Sequence, residues 1–270
     1  MLAHAAPELT QAEFRHFQEL VYTQAGIRLA ASKLSLAQNR LQKRLLDLGM
    51  DSWSDYIDLV RTPGSRELQG CIEALTTNET FFFRHKDHWD LFIEQILKPW
   101  NATRTLRIWS AACSTGEEPW SAAIACREHR SDVRSTIEAS DLNQRVLTQA
   151  QAGVYGTYAL QKLTDYARDR WFSKAGDERW RVRDEVRNGV TFRQHNLLEP
   201  TRGSQVDVMF LRNVLIYFDE ASKRRALDQV AQRLAPGGWL FLGGSESLPV
   251  GMPGFRPVRP QIYRREGRHD

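Results

Sequence analysis

Residues 107–120, RIWSAACSTGEEPW, restrict the fold more than any other stretch of the chain. A short apolar run gives way to small side chains, Ser110, Ala111, Ala112, Cys113 and Ser114. A single glycine follows at 116, and then Glu117-Glu118-Pro119, the composition of a helix's first turn. Strand, small-residue turn and helix in that order open a parallel α/β sheet. Small side chains let a ligand lie against the backbone at the carboxyl end of the strand. The chain keeps this rhythm after Pro99. Strands are predicted at 105–109, 136–139, 190–193, 206–211 and 239–242, with helices near 117–130, 143–152 and 219–235. Pro236-Gly237-Gly238 is read as the stop of the last helix, and 255–264 as one or two closing strands.

The region before this sheet has a different period. From about 10 to 75 the apolar residues recur at helical spacing, as in Leu34, Ala37, Leu41, Leu45 and Leu48, punctuated by Gly26, Gly49 and Pro63-Gly64. A further helix is predicted over about 86–98. The stretch from 155 to 190 is charged and aromatic and breaks the strand–helix alternation, so it reads as an insertion: a helix, then a small hairpin. The expected division is an all-α domain over 1–75, a linker and connecting helix over 76–100, and a doubly wound α/β domain over 101–270. A small antiparallel β subdomain is inserted in the last near 165–190.

At 270 residues the chain can bury a core of this kind. No apolar run approaches the roughly 18 residues that would suggest a membrane span, so no membrane insertion is expected. Residues 1–7 lack a basic segment followed by an apolar one, so no signal peptide is expected. Three cysteines, Cys71, Cys113 and Cys126, form no CxxC and cannot all pair, which argues for a reducing, cytoplasmic setting. The net charge of +4 favours an acidic partner and leaves nucleic acid, anionic lipid and protein open.

The loop's chemistry narrows the ligand. Dinucleotide loops carry several glycines and anchor pyrophosphate on helix amides. Here one glycine stands beside two carboxylates, which repel phosphate and suit a cation. S-adenosylmethionine carries an ammonium, a ribose and a sulfonium, and fits. Asp141 ends the second predicted strand, where one carboxylate can accept from both ribose hydroxyls; a helix N-cap is the equal alternative. Asn196-Leu197 follows the third strand and suits an adenine edge, although a turn residue explains Asn196 alone more simply. Arg212 ends the fourth strand and offers a planar fork to a carboxylate, with Tyr217 nearby in sequence. The prolines that frame a flipped base are missing after it, which counts against nucleic acid as substrate.

Three other clusters stand out. Asn78, Thr80 and Arg84 lie in TTNETFFFR, too polar before its three phenylalanines for a plain linker. His85 and His88 flank Asp87 and Asp90, but further ligands are lacking, so no metal is expected. Lys33, Arg40, Lys43 and Arg44 line one side of a helix, which reads as a solvated face or as a docking surface for an acidic helical partner.

Taken together, TNET with Phe82, Phe83 and Arg84, SAACSTGEEP at 110–119 and RNVLIYF at 212–218 resemble the chemotaxis-receptor glutamate methyltransferases, the CheR family, over about residues 10–265. The resemblance implies a helical N-terminal domain joined to a Rossmann-like S-adenosylmethionine-dependent methyltransferase domain with an antiparallel β insertion. It implies transfer of a methyl group to glutamate side chains of chemoreceptor cytoplasmic helices. By position, Asn78, Thr80, Arg84, Glu117, Asp141, Asn196, Leu197, Asn213 and Val214 would line the cofactor site. Arg84 would meet the methionine carboxylate and Glu117 the ammonium. Arg212 and Tyr217 would face the reacting centre, and Lys33, Arg40, Lys43 and Arg44 would meet the receptor. Two departures are visible: Gly244 where members often carry His, and a short loop around 173–179. The second argues against tethering by a C-terminal receptor peptide, a mode some members use. A monomer without nucleic acid is expected. The alternatives are a methyltransferase acting on RNA or another protein, and a non-catalytic module that senses S-adenosylmethionine.

Overall fold

The computed structural model describes residues Pro7–Gly267. It divides into two compact units. One is the chain up to Thr77 together with Tyr217–Ser222, and the other is Asn78–Ile216 with Lys223 onward.

The first unit is helical. Helix α1 (Gln11–Ala25) starts from a capping box in which Thr10 and Glu13 satisfy each other's backbone N–H, and it ends on Gly26 in the left-handed region. Helices α2 (Leu34–Asp47), α3 (Trp53–Arg61) and α4 (Arg66–Leu75) follow, the latter two capped by Ser52 and Ser65. Their apolar faces meet in a core of Phe14, Phe17, Leu41, Leu45, Trp53 and Tyr56. An ion pair lies beside that core. Arg44 grips Glu67 with two N–H groups (2.5 and 2.7 Å), and the Tyr56 hydroxyl donates to the same carboxylate (2.6 Å). Gly70 in α4 makes room for it: a Cβ there would come within 2.1 Å of the Arg44 guanidinium. Tyr217–Ser222 joins this unit through an Ile27–Phe218 bridge, an Arg28 N–H bond to the Tyr217 carbonyl (2.7 Å) and a Tyr22 hydroxyl bond to Asp219 (2.7 Å).

The second unit is the α/β sheet. Strands β1 (Leu106–Ser110) and β2 (Ser135–Asp141) come first; β6 (Val190–Gln194), β7 (Val206–Leu211) and β8 (Leu234–Leu242) follow the insertion. These five are parallel, and the hairpin β9 (Phe255–Arg259) and β10 (Ile262–Arg265) adds two antiparallel strands at one edge. The order is β6-β2-β1-β7-β8-β10-β9. Strand order reverses at β1, so the carboxyl ends of β1, β2, β6 and β7 lie side by side around a topological switch point, where open α/β sheets bind ligands. Helices α5 (Lys86–Leu91, extended by a π-helical stretch Phe92–Leu97), α6 (Glu117–His129), α7 (Gln144–Ala152) and α10 (Glu220–Arg233) connect or cover the strands. The doubly wound α/β fold with its inserted antiparallel sheet matches the class read from the sequence.

Two details differ from that reading. The helix predicted to stop at Pro236-Gly237-Gly238 ends earlier, at Arg233, and β8 runs through the proline. Pairing between β7 and β8 shifts register between Val206 and Val208, so Pro236 sits in the irregular part of the ladder, where its missing N–H is tolerated. The inserted sheet begins at Val154, ahead of the 165–190 span: β3 (Val154–Gly156), helix α8 (Asp165–Trp171), β4 (Phe172–Lys174) and β5 (Arg179–Val182) give the order β3-β5-β4, and the short helix α9 (Asp184–Arg187) closes it.

Candidate active site

The loop after β1 is built for a tight reversal. Ser114 (φ 48°) and Gly116 (φ 96°) both occupy the left-handed region. A side chain at 116 would meet Ala150 at 2.7 Å and the Tyr155 hydroxyl at 2.9 Å, so only glycine fits. The Tyr155 hydroxyl donates to the Thr115 carbonyl (2.7 Å) and pins the turn from the inserted sheet.

Asp141, at the end of β2, receives the Ser114 N–H (2.8 Å) on one oxygen and the Asn143 N–H (2.9 Å) on the other. It therefore ties two strand ends together and stays an acceptor. The helix N-cap is Asn143, which accepts from Val146 N–H (3.1 Å), so Asp141 is not the cap. The Ser114 hydroxyl donates to the Asn78 carbonyl (3.0 Å), which brings the TNET segment to the same loop. The end of β6 joins them as the His195 N–H reaches the Asp141 carbonyl (2.9 Å). Asn196 forms a turn, its side-chain oxygen accepting from Leu198 N–H (3.0 Å), and Leu197 is buried beside it.

Glu117 and Glu118 are consecutive at the start of α6, so they point about 100° apart and do different things. Glu117 is buried and accepts from the Thr115 hydroxyl (2.7 Å). Burial pushes its carboxyl up from 4.5 to about 7, only partly opposed by Thr115 and a backbone N–H. Glu118 accepts from the Ser110 hydroxyl (2.6 Å) and pairs with Arg212 (3.2 Å). Arg212 is buried too and also donates to the Arg84 carbonyl. Arg84 gives an N–H to the Glu79 carbonyl (2.9 Å), a neutral acceptor that does not cancel its charge.

After β7, Asn213 takes the left-handed conformation (φ 59°), and its N–H donates to Glu246 (2.8 Å). Tyr217 lies in the segment counted with the helical unit, where its carbonyl accepts from Arg28. The four-residue basic stripe divides. Arg44 is committed to Glu67 and Arg40 to the Thr76 carbonyl (2.7 Å), while Lys33 and Lys43 are exposed.

Among the described residues no group of three or more His, Cys, Asp or Glu could hold a metal ion. His88 is buried, stacked on His85 at 5.4 Å, and burial lowers its imidazole to about 4. At Gly244 a Cβ would come within 2.9 Å of the His85 ring, so His85 occupies the space a side chain there would need. The sequence reading counts Glu118 with Glu117 as a carboxylate suited to a cationic ligand, whereas Glu118 is paired with Arg212, and it gives Glu246 no role. The one available signal for Glu118 is that adjacent helical carboxylates cannot share a direction.

A buried carboxylate without a cation, a second carboxylate aimed from the next strand end and a glycine turn between them suit a cationic nucleoside. The fold and this site define an S-adenosylmethionine-dependent methyltransferase. Residues 78–262 match the family described as CheR methyltransferase, SAM binding domain, and residues 12–76 match CheR methyltransferase, all-alpha domain. The chain belongs to this CheR family. A chemotaxis protein methyltransferase of Klebsiella aerogenes is 39% identical over 249 residues, covering 89% of this chain and 84% of that one. Chemotaxis protein methyltransferase 2 of Pseudomonas aeruginosa is 38% identical over 262 residues, covering 94% and 93%. The Escherichia coli chemotaxis protein methyltransferase is 37% identical over 248 residues, covering 89% and 86%.

Proposed function

We propose that the chain methylates glutamate side chains on the cytoplasmic helices of chemoreceptors, giving glutamyl methyl esters, and that it does so in the cytoplasm. No helix among the described residues is long and apolar enough to cross a membrane. The observation that carries the choice of acceptor is the Arg212–Glu118 pair at the end of β7. A glutamate acceptor is already ionised at pH 7, so the reaction needs no general base. It needs an oriented carboxylate that keeps its nucleophilicity, and charge falls as the ester forms. An unpaired buried guanidinium would hold the reactant too tightly. With Glu118 balancing its charge, Arg212 orients an anion by hydrogen bonding and stabilises it little.

Bound S-adenosylmethionine supplies an electrophilic methyl on its sulfonium. In this reading Glu117 receives the ammonium, Arg84 the amino-acid carboxylate and Asp141 the ribose hydroxyls. Asn78, Thr80, Asn196, Leu197, Asn213 and Val214 complete the lining. His85 and His88, within electrostatic reach of Arg212, are held below their ordinary range chiefly by burial and stay neutral at pH 7, so they add no charge to the acceptor side.

Incubation with methyl-labelled S-adenosylmethionine and a receptor cytoplasmic fragment should give label that mild base releases as methanol. RNA-base or amine methylation would leave it base-stable, and would overturn this acceptor. Arg212→Ala should retain binding of S-adenosylhomocysteine and lower turnover about 100-fold; turnover near that of the unaltered protein would remove Arg212 from the reaction.

A further inference from the structure

Glu246 carries no role in the account above, yet its surroundings are specific. It is 5% exposed, and its carboxylate accepts three backbone N–H groups. One oxygen takes Asn213 (2.8 Å) and Gly243 (2.5 Å), and the other takes Ile216 (3.2 Å). The contact is shaped to fit: a Cβ at Gly243 would lie 2.7 Å from both the Asn213 nitrogen and the Glu246 carboxylate. The turn held in this way begins at the peptide that follows Arg212 and passes through Asn213 in its left-handed conformation. β7 anchors Arg212 from one side, and Glu246 anchors the next peptide from the other.

We propose that Glu246 is a positioning residue for methyl transfer, clamping Asn213–Ile216 so that Arg212 and the turn after it keep one geometry through turnover. This rests on the acceptor chemistry proposed above. The two oxygens make the clamp separable. A glutamine can place its single carbonyl oxygen on the Asn213 and Gly243 donors. Its NH2 then faces the Ile216 N–H, donor against donor, so only the Ile216 end is released.

The test is Glu246→Gln in the full chain. Three readouts are taken: calorimetry with S-adenosylhomocysteine, steady-state methylation of a receptor fragment, and amide exchange at Asn213 and Ile216. The expected result is cofactor affinity within about threefold, kcat down about tenfold with KM for the receptor little changed, and faster exchange at Ile216 alone. Glu246→Ala should release both ends and lower cofactor affinity as well. Unchanged kcat in Glu246→Gln, or affinity and kcat falling by one common factor, would overturn the proposal. If Glu246→Gln does not fold, Glu246→Asp is read by the same criteria. The two readings fail differently: absence of base-labile label with the unaltered protein rejects the acceptor, whereas exchange and cofactor binding read the clamp without any acceptor.

Discussion

Two glutamates in this protein, Glu67 half-buried and Glu117 buried, meet opposite fates. In the helical unit, Glu67 is surrounded by donors. Burial alone would raise its carboxyl, but Arg44 and Tyr56 outweigh burial and hold it below the ordinary range. In the α/β unit, Glu117 is buried with only a threonine hydroxyl and a backbone N–H to oppose burial, and its carboxyl rises to about 7. Glu67 has the cation the fold gives it, whereas Glu117 has none, and in the function proposed above that carboxylate is held for the ligand's ammonium.

The largest effects come from exchanging these two roles. Glu67→Ala leaves Arg44 half-buried without its partner, and should cost about 2–3 kcal/mol of stability in urea unfolding, less than a fully buried pair because Arg44 reaches solvent. It should not change cofactor affinity. Glu117→Gln should do the reverse. Losing a charge-assisted contact to an ammonium lowers cofactor affinity about 30- to 100-fold. Stability of the ligand-free protein at pH 8 should rise, because ionising Glu117 in place costs roughly 3 kcal/mol above its folded pKa. Loss of both stability and affinity in either variant would break the distinction.

The same pair sets opposite dependences on pH. A carboxyl lowered by folding, as in Glu67, contributes stability above its unfolded pKa, and that stability is lost as pH falls through the folded one. Glu117 is raised, so the folded ligand-free protein holds its proton more tightly than the unfolded chain does. Its contribution is present below about 4.5 and is lost as pH rises through about 7. In the site as proposed, cofactor binding needs the carboxylate, so affinity should rise up to about tenfold per pH unit from 6 toward 7 and level off above. Calorimetry at pH 6 in buffers of different ionisation enthalpy should show proton release on binding; proton uptake, or no exchange, would remove Glu117 as the ammonium's partner.

Legibility followed the range of the interactions. The β1 loop was readable because strand, small residues, glycine and acidic helix start are adjacent in sequence, and β7 because all its residues but Asp207 are apolar. The three-residue strands β3 and β4 are too short to show alternation, so the insertion over 155–190 reads as a helix and a hairpin without the strand β3 that precedes them. The basic side of α2 was visible as helical periodicity, but periodicity does not reveal that Arg44 faces a carboxylate on α4, 23 residues on. Glu246 was hidden for a related reason. Two of its three backbone partners, the amides of Asn213 and Ile216, lie 33 and 30 residues earlier, and no side-chain pattern marks them.

The smallest expected effect bears on that basic side and returns to Glu67. If Arg44 serves the fold, the proposed docking to an acidic receptor rests chiefly on the two exposed cations, Lys33 and Lys43, since Arg40 keeps its charge but is half-buried with its guanidinium turned to backbone carbonyls. Exposed ion pairs contribute about 0.2–1 kcal/mol each. Lys33→Glu with Lys43→Glu should therefore raise KM for the receptor fragment roughly three- to tenfold, mostly through slower association, and added salt should erase much of the difference. Stability and cofactor affinity should stay as they were. Arg44→Ala should instead lower stability, and affect the receptor KM only as far as the helical unit loosens. A rise in KM with Arg44→Ala larger than that of the double lysine variant, at unchanged stability, would return Arg44 to the docking surface and leave Glu67 as its guide in place of its structural partner.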